Sequence, residues 1–109
     1  MHNLLIRGRH LPESEVLPYI KEFIKALGNA LPEDRFEKRG EDIWVAKSAA
    51  VAPTACLNGP LIIDENAEIR HCAFIRGNAI VGKGTVVGNS TELKNVILFE
   101  NGLYGVGRL

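Results

Sequence analysis

Between Val45 and Phe99 an aliphatic or aromatic residue stands at every sixth position: Val45, Val51, Leu57, Ile63, Ile69, Ile75, Val81, Val87, Leu93 and Phe99. At this chain's content of such residues, ten matches in a row over six phases have a chance probability on the order of 10⁻⁴. Four residues after each match the side chain is usually small: Ala49, Ala55, Ala67, Ala73, Ala79, Thr85 and Thr91, against Leu61, Ile97 and Leu103. Neither a helix nor a plain hairpin repeats every six residues. A short strand followed by a corner does.

The pattern predicts an all-β solenoid, a parallel β-helix built from hexapeptides. The large residue points inward from a flat face. The small one sits near a corner, where a bulky side chain would strike the neighbouring face. Three hexapeptides complete a triangular coil of 18 residues, and coils stack as parallel strands about 4.8 Å apart. Residues 45–62, 63–80 and 81–98 then form three coils, and Phe99 opens a fourth. A β-sandwich would instead show alternation with period two and strands of uneven length.

The 109 residues carry 13 basic and 13 acidic side chains. No net charge draws the chain toward nucleic acid or a membrane surface. No apolar run reaches a membrane span, and the start is too short in apolar residues for a secretory signal. Cys56 and Cys72 fall at different hexapeptide positions, so a disulfide is not expected and the cytoplasm is the simplest compartment. With His2, His10 and His71 as the full set of histidines, no metal cluster is expected.

Three segments are expected: 1–42, a helical cap and linker; 43–104, the hexapeptide solenoid; and 105–109, a tail. Val16, Leu17, Ile20, Phe23, Ile24 and Leu27 form a helical apolar stripe, with Ser14 placed to cap the start and Gly28 to close the end. Lys21, Glu22 and Lys25 face water. Leu4, Leu5 and Ile6 form a short strand or pack on the helix. Residues 29–42, with Pro32, Gly40 and eight charges, read as a connecting loop. Gly77, Gly82, Gly84 and Gly88 suit corners of positive φ. The outward residues Ile62, Phe74, Ile80, Val86, Val96 and Leu98 need cover, either from the helix or from a threefold assembly. A homotrimer is expected.

Stacked coils also bring polar residues into columns. Asn58, Arg76 and Lys94 are each 18 residues apart. Two cations that close together repel unless solvent or an anion intervenes, and Arg with Lys suits a phosphate or pyrophosphate. Arg70 falls on a different face, between Ala52 and Gly88, with His71 projecting outward beside it.

The run Arg70-His71-Cys72-Ala73-Phe74-Ile75-Arg76-Gly77-Asn78-Ala79-Ile80-Val81-Gly82 and the run Val87-Gly88-Asn89-Ser90-Thr91-Glu92-Leu93-Lys94-Asn95 carry a resemblance. They resemble the left-handed β-helix of the bacterial N-acetylglucosamine-1-phosphate uridyltransferase/glucosamine-1-phosphate acetyltransferase group and its shorter pyrophosphorylase-related members. The resemblance covers a little over half the chain. It implies a left-handed parallel β-helix, a trimer, acetyl-CoA as acyl donor and an amino-sugar 1-phosphate as acceptor. Arg76 and Lys94 match the pair that holds a sugar phosphate or nucleotide sugar such as UDP-N-acetylglucosamine. Asn89 and Glu92 match positions beside the acceptor pocket. In that group further coils supply a histidine base and, soon after, a tyrosine. Here no histidine follows His71, and Tyr104 stands in a different context. The chain therefore reads as a shortened relative with an incomplete catalytic site and no assignable catalytic residue. The alternative is a non-catalytic module for sugar-nucleotide binding or trimerisation.

Overall fold

The computed structural model describes residues 3–6 and 9–105, with side chains described from Tyr19 onward. Two short strands, β1 (Asn3–Ile6) and β2 (Arg9–Pro12), pair antiparallel and lead into the helix α1 (Glu13–Asn29). Next come β3 (Phe36–Gly40), β4 (Ile43–Ala46), β5 (Ala50–Val51), β6 (Cys56–Leu57) and β7 (Leu61–Ile63). The remainder are β8 (Glu68–Ile69), β9 (Phe74–Val81), β10 (Val86–Val87), β11 (Glu92–Leu98) and β12 (Leu103–Tyr104).

From β4 onward the chain is a β-solenoid of about three turns. Its strands pair in parallel with the expected 18-residue offset: Ala50 with Glu68 and then Val86, Cys56 with Phe74 and then Glu92, Leu61 with Ala79. Three faces result. One holds β4, β7 and the second halves of β9 and β11. A second stacks β5, β8, β10 and β12. A third stacks β6 under the first halves of β9 and β11.

The hexapeptide phase sets the core. Val45, Ile63, Ile69, Ile75, Val81, Val87 and Leu93 are buried and form one cluster, with Val51 and Leu57 half-buried in the first coil. The small positions Ala67, Ala73, Ala79, Thr85 and Thr91 are buried too. Thr85 Oγ1 donates to the Phe99 carbonyl at 2.7 Å, and Thr91 Oγ1 donates to that of Gly105, so neither buried hydroxyl is left unsatisfied.

The period breaks at Asn95. Arg76 pairs with Lys94, but Ala79 pairs with Val96 and Val81 with Leu98. The corners Gly59-Pro60 and Gly77-Asn78 use two residues, whereas the next coil turns on Asn95 alone. Asn95 adopts a φ of 56°, a conformation that Asn tolerates better than most residues. Its Oδ1 accepts from Asn78 Nδ2 at 3.0 Å and from the Asn78 amide at 3.4 Å. The third coil is therefore 17 residues long from this corner, and β12 follows suit, with Leu103 opposite Val86. Two expectations are corrected by this slip. Leu98 points inward and is buried, while Phe99 is 80% exposed.

The segment before the solenoid also differs from expectation. Residues 29–42 are not wholly loop, because β3 pairs antiparallel with β4 and extends the first face. Ser14 lies inside the helix rather than before it, since α1 begins at Glu13; its side chain, like those of Val16 and Leu17, is outside the described residues. The helix lies across β7 and β9 on the first face. Ile20 and Ile24 pack with Phe36, Trp44, Ala46 and Ile62, and Ile80 joins at the edge. Burying each large apolar side chain contributes roughly 1.5–3 kcal/mol, so this second cluster holds helix and solenoid together. It also covers Ile62 and Ile80, two of the outward residues that pointed to a trimer.

The glycines serve close approach more than conformation. Of Gly77, Gly82, Gly84 and Gly88, only Gly84 has positive φ. Gly28 does not end the helix; a Cβ there would sit 2.3 Å from the Trp44 ring. Gly28→Ala is expected to destabilise by about 1–3 kcal/mol through overpacking, against a helix-propensity gain of about 1 kcal/mol. An unchanged or raised melting temperature would mean that the helix does not seat on Trp44. Among the described residues, no helix is long and apolar enough to cross a membrane.

Candidate anion-binding face

Alternate residues of a strand point to the same side, so the third face presents two outward columns. Cys56, Phe74 and Glu92 form one; Asn58, Arg76 and Lys94 form the other. The 18-residue offset still holds here, because the slip comes after Lys94. Arg76 and Lys94 are direct cross-strand partners, and both are exposed.

The structure adds two contacts to this pair. Arg76 Nη1 donates to Glu92 Oε2 at 3.2 Å, an ion pair across neighbouring coils on a diagonal of the face. The guanidinium also lies over the Phe74 ring, 5.6 Å from its centroid. Arg76 is thus held from two sides. Lys94 has no hydrogen-bond or ion-pair partner among the described residues, and it is exposed at the position directly across from Arg76. Unit charges about 5 Å apart in water repel by roughly 1 kcal/mol, and Glu92 offsets that cost. Among the described residues, one carboxylate and two cations leave the face with a surplus positive charge.

Sequence spacing placed Arg76 over Asn58 and under Lys94, and the pairing agrees. It did not reveal the roles of Glu92 and Phe74 in fixing the guanidinium. The signal was available, since both stand two residues before a member of the cation column on the same strand face.

Asn89 lies elsewhere. It borders a shallow groove of about 450 Å³ on the second face, together with Ala50, Ala52, Arg70 and His71. Arg70 Nε donates to Glu68 Oε2 at 2.7 Å, and His71 Nδ1 stands 3.3 Å from Thr54 Oγ1. The four matched positions therefore divide: Arg76, Glu92 and Lys94 come together, while Asn89 sits with the histidine across a corner. Cys56 and Cys72 are exposed free thiols. Among the described residues, no group of three or more His, Cys, Asp or Glu side chains could hold a metal ion.

No protein-family model matches the chain, and no curated protein matches it either. What stands is the fold. A left-handed-β-helix-like solenoid is compatible with hexapeptide-repeat transferases and does not single one out.

Proposed function

We propose that this chain is a hexapeptide-solenoid binding protein for a phosphorylated sugar or nucleotide sugar, with the third face as its site. The observation that carries the reading is the in-register Arg76–Lys94 pair, one cation held by Glu92 and Phe74 and the other free among the described residues. A prepositioned guanidinium offers a planar fork to a phosphate, and the adjacent ammonium adds a point charge. Glu92 supplies what a plain phosphate site lacks, a carboxylate able to accept from a sugar hydroxyl.

Among the described residues, the same face holds no imidazole. An amine attacking a thioester must lose a proton, normally to a positioned base. Acetyl transfer from acetyl-CoA to glucosamine 1-phosphate is the second reading; it is favoured by the solenoid and by the residues around Arg76 and Lys94. His71, the histidine nearest in sequence to this face, stands at a corner against Thr54.

Titration with UDP-N-acetylglucosamine, read by thermal unfolding, tests the binding reading. A ligand at 100 times its Kd should stabilise the fold by about 2.7 kcal/mol, a gain lost in Arg76→Ala and in Lys94→Ala. The gain should shrink at high salt, because an exposed anion site is screened. Without ligand, Lys94→Ala should be near neutral. Arg76→Ala should cost less than about 1 kcal/mol, the ordinary worth of an exposed ion pair. Full ligand-induced stabilisation in both variants would remove the site. Turnover with acetyl-CoA and glucosamine 1-phosphate would favour the second reading.

A further inference from the structure

The first coil leaves the third face on the dipeptide Asn58-Gly59, and the fold itself dictates the glycine. A Cβ at position 59 would lie 2.6 Å from the Glu41 carbonyl oxygen and 2.8 Å from that of Asp42. No larger residue fits so close an approach. Asn58, by contrast, is exposed, and its side chain has no hydrogen-bond partner among the described residues. The Gly59 amide donates to no group among them either. Among the described residues β6 pairs with β9 alone, so the dipeptide follows a two-residue strand at the edge of the face, where local opening costs least.

An asparagine followed by glycine can react with its own backbone. The Gly59 nitrogen attacks Asn58 Cγ, the Cγ–Nδ2 bond breaks, and ammonia leaves with the amide proton. Water then opens the cyclic succinimide at one of its two carbonyls. Opening at Cγ gives aspartate and opening at the backbone carbonyl gives isoaspartate, and each carries a carboxylate. Glycine favours the ring because no side chain blocks the approach of its nitrogen.

The place of Asn58 gives that reaction a consequence. The β6–β9 register runs from Leu57 opposite Ile75 to Asn58 opposite Arg76, and the Asn58 amide donates to the Ile75 carbonyl at 2.8 Å. A carboxylate at this position stands one strand spacing, about 4.8 Å, from Arg76 along the column. Arg76 then lies between two carboxylates, Glu92 on its diagonal in the coil above and the new one directly below. Two cations and two carboxylates cancel the surplus positive charge of the face.

We infer that Asn58-Gly59 is a deamidation site whose product neutralises the cation column and turns the third face off as an anion site. The loss of ligand rests on the binding reading above; the conversion and its electrostatic tie to Arg76 do not. The other Asn-Gly pair, Asn101-Gly102, lies at a corner against Gly84 and brings no charge to this face.

Peptide mapping after incubation in warm, mildly alkaline buffer should find aspartate and isoaspartate at position 58 of the folded protein, and Asn58→Gln should suppress both. In Asn58→Asp the introduced carboxyl should titrate below the ordinary carboxylate range by NMR, because Arg76 favours its charged form, and adding Arg76→Ala should raise the midpoint. UDP-N-acetylglucosamine should bind Asn58→Asp about tenfold more weakly than the parent, and Asn58→Gln like the parent. An Asn58 that stays an amide in the folded protein, or an introduced carboxyl indifferent to Arg76→Ala, would overturn the inference. So would parent-like affinity in Asn58→Asp where the parent binds. A parent that binds no ligand removes the binding reading instead, and the mapping and the titration still decide the inference.

Discussion

Ile69→Asp and Val81→Asp are expected to abolish folding at room temperature. Ile69 is 1% exposed and Val81 is fully buried, on two different faces of the solenoid. Both point into a cluster made of aliphatic side chains, where a carboxylate finds no cation. Burying such a group costs several kcal/mol, whether it stays charged or takes up a proton. The whole stability of a domain this size is about 5–15 kcal/mol. Far-ultraviolet circular dichroism and urea denaturation would read the effect. Ile69→Val, as a control, should lose about 0.5–1.5 kcal/mol and keep a cooperative transition. Soluble Asp variants that unfold cooperatively near the parent midpoint would show that the inward register is wrong.

The second large effect separates neighbours. Leu98→Ala should cost about 2–5 kcal/mol, the usual range for truncating a buried leucine, while Phe99→Ala should fall within about 0.5 kcal/mol of the parent. Leu98 is 6% exposed and Phe99 is 80% exposed. A strict six-residue repeat ranks the two in the opposite order. Denaturation midpoints with unchanged slopes decide between them. A Phe99→Ala variant less stable than Leu98→Ala would mean that the third coil keeps 18 residues.

How much was legible in the sequence depended on how local the cause was. The inward phase from Val45 to Leu93 is a property of many residues at once, and it survives in the structure. The Arg76–Lys94 column follows from the same arithmetic. Phe99 fails because one corner residue is missing, and hydrophobicity alone does not register a corner's length. Asn95 is the cause, and the hydrogen bond its Oδ1 accepts from Asn78 Nδ2 appears only when the two coils are stacked. β3 was missed for another reason. Phe36 is its only buried residue, and the following Glu37, Lys38 and Arg39 resemble a solvated loop. Gly28 looked like a helix stop because nothing in a linear reading brings Trp44 against it. In the site, Glu92 was found by likeness, but its grip on Arg76 is a diagonal contact between coils.

The reversed strand β3 also gives the stack a direction of growth. A parallel β-edge is a template, and a free one invites another chain to add itself. On the first face, the edge before β4 is occupied by a strand running the opposite way. Its outer positions carry Glu37, Lys38 and Arg39, with the Lys38 ammonium 5.5 Å from the Trp44 ring centroid. A further coil arriving there would meet antiparallel hydrogen-bond spacing and a row of charges instead of a continuation of the repeat. On that face β3 acts as a terminator, so lengthening the solenoid by coil duplication must proceed from β7 onward.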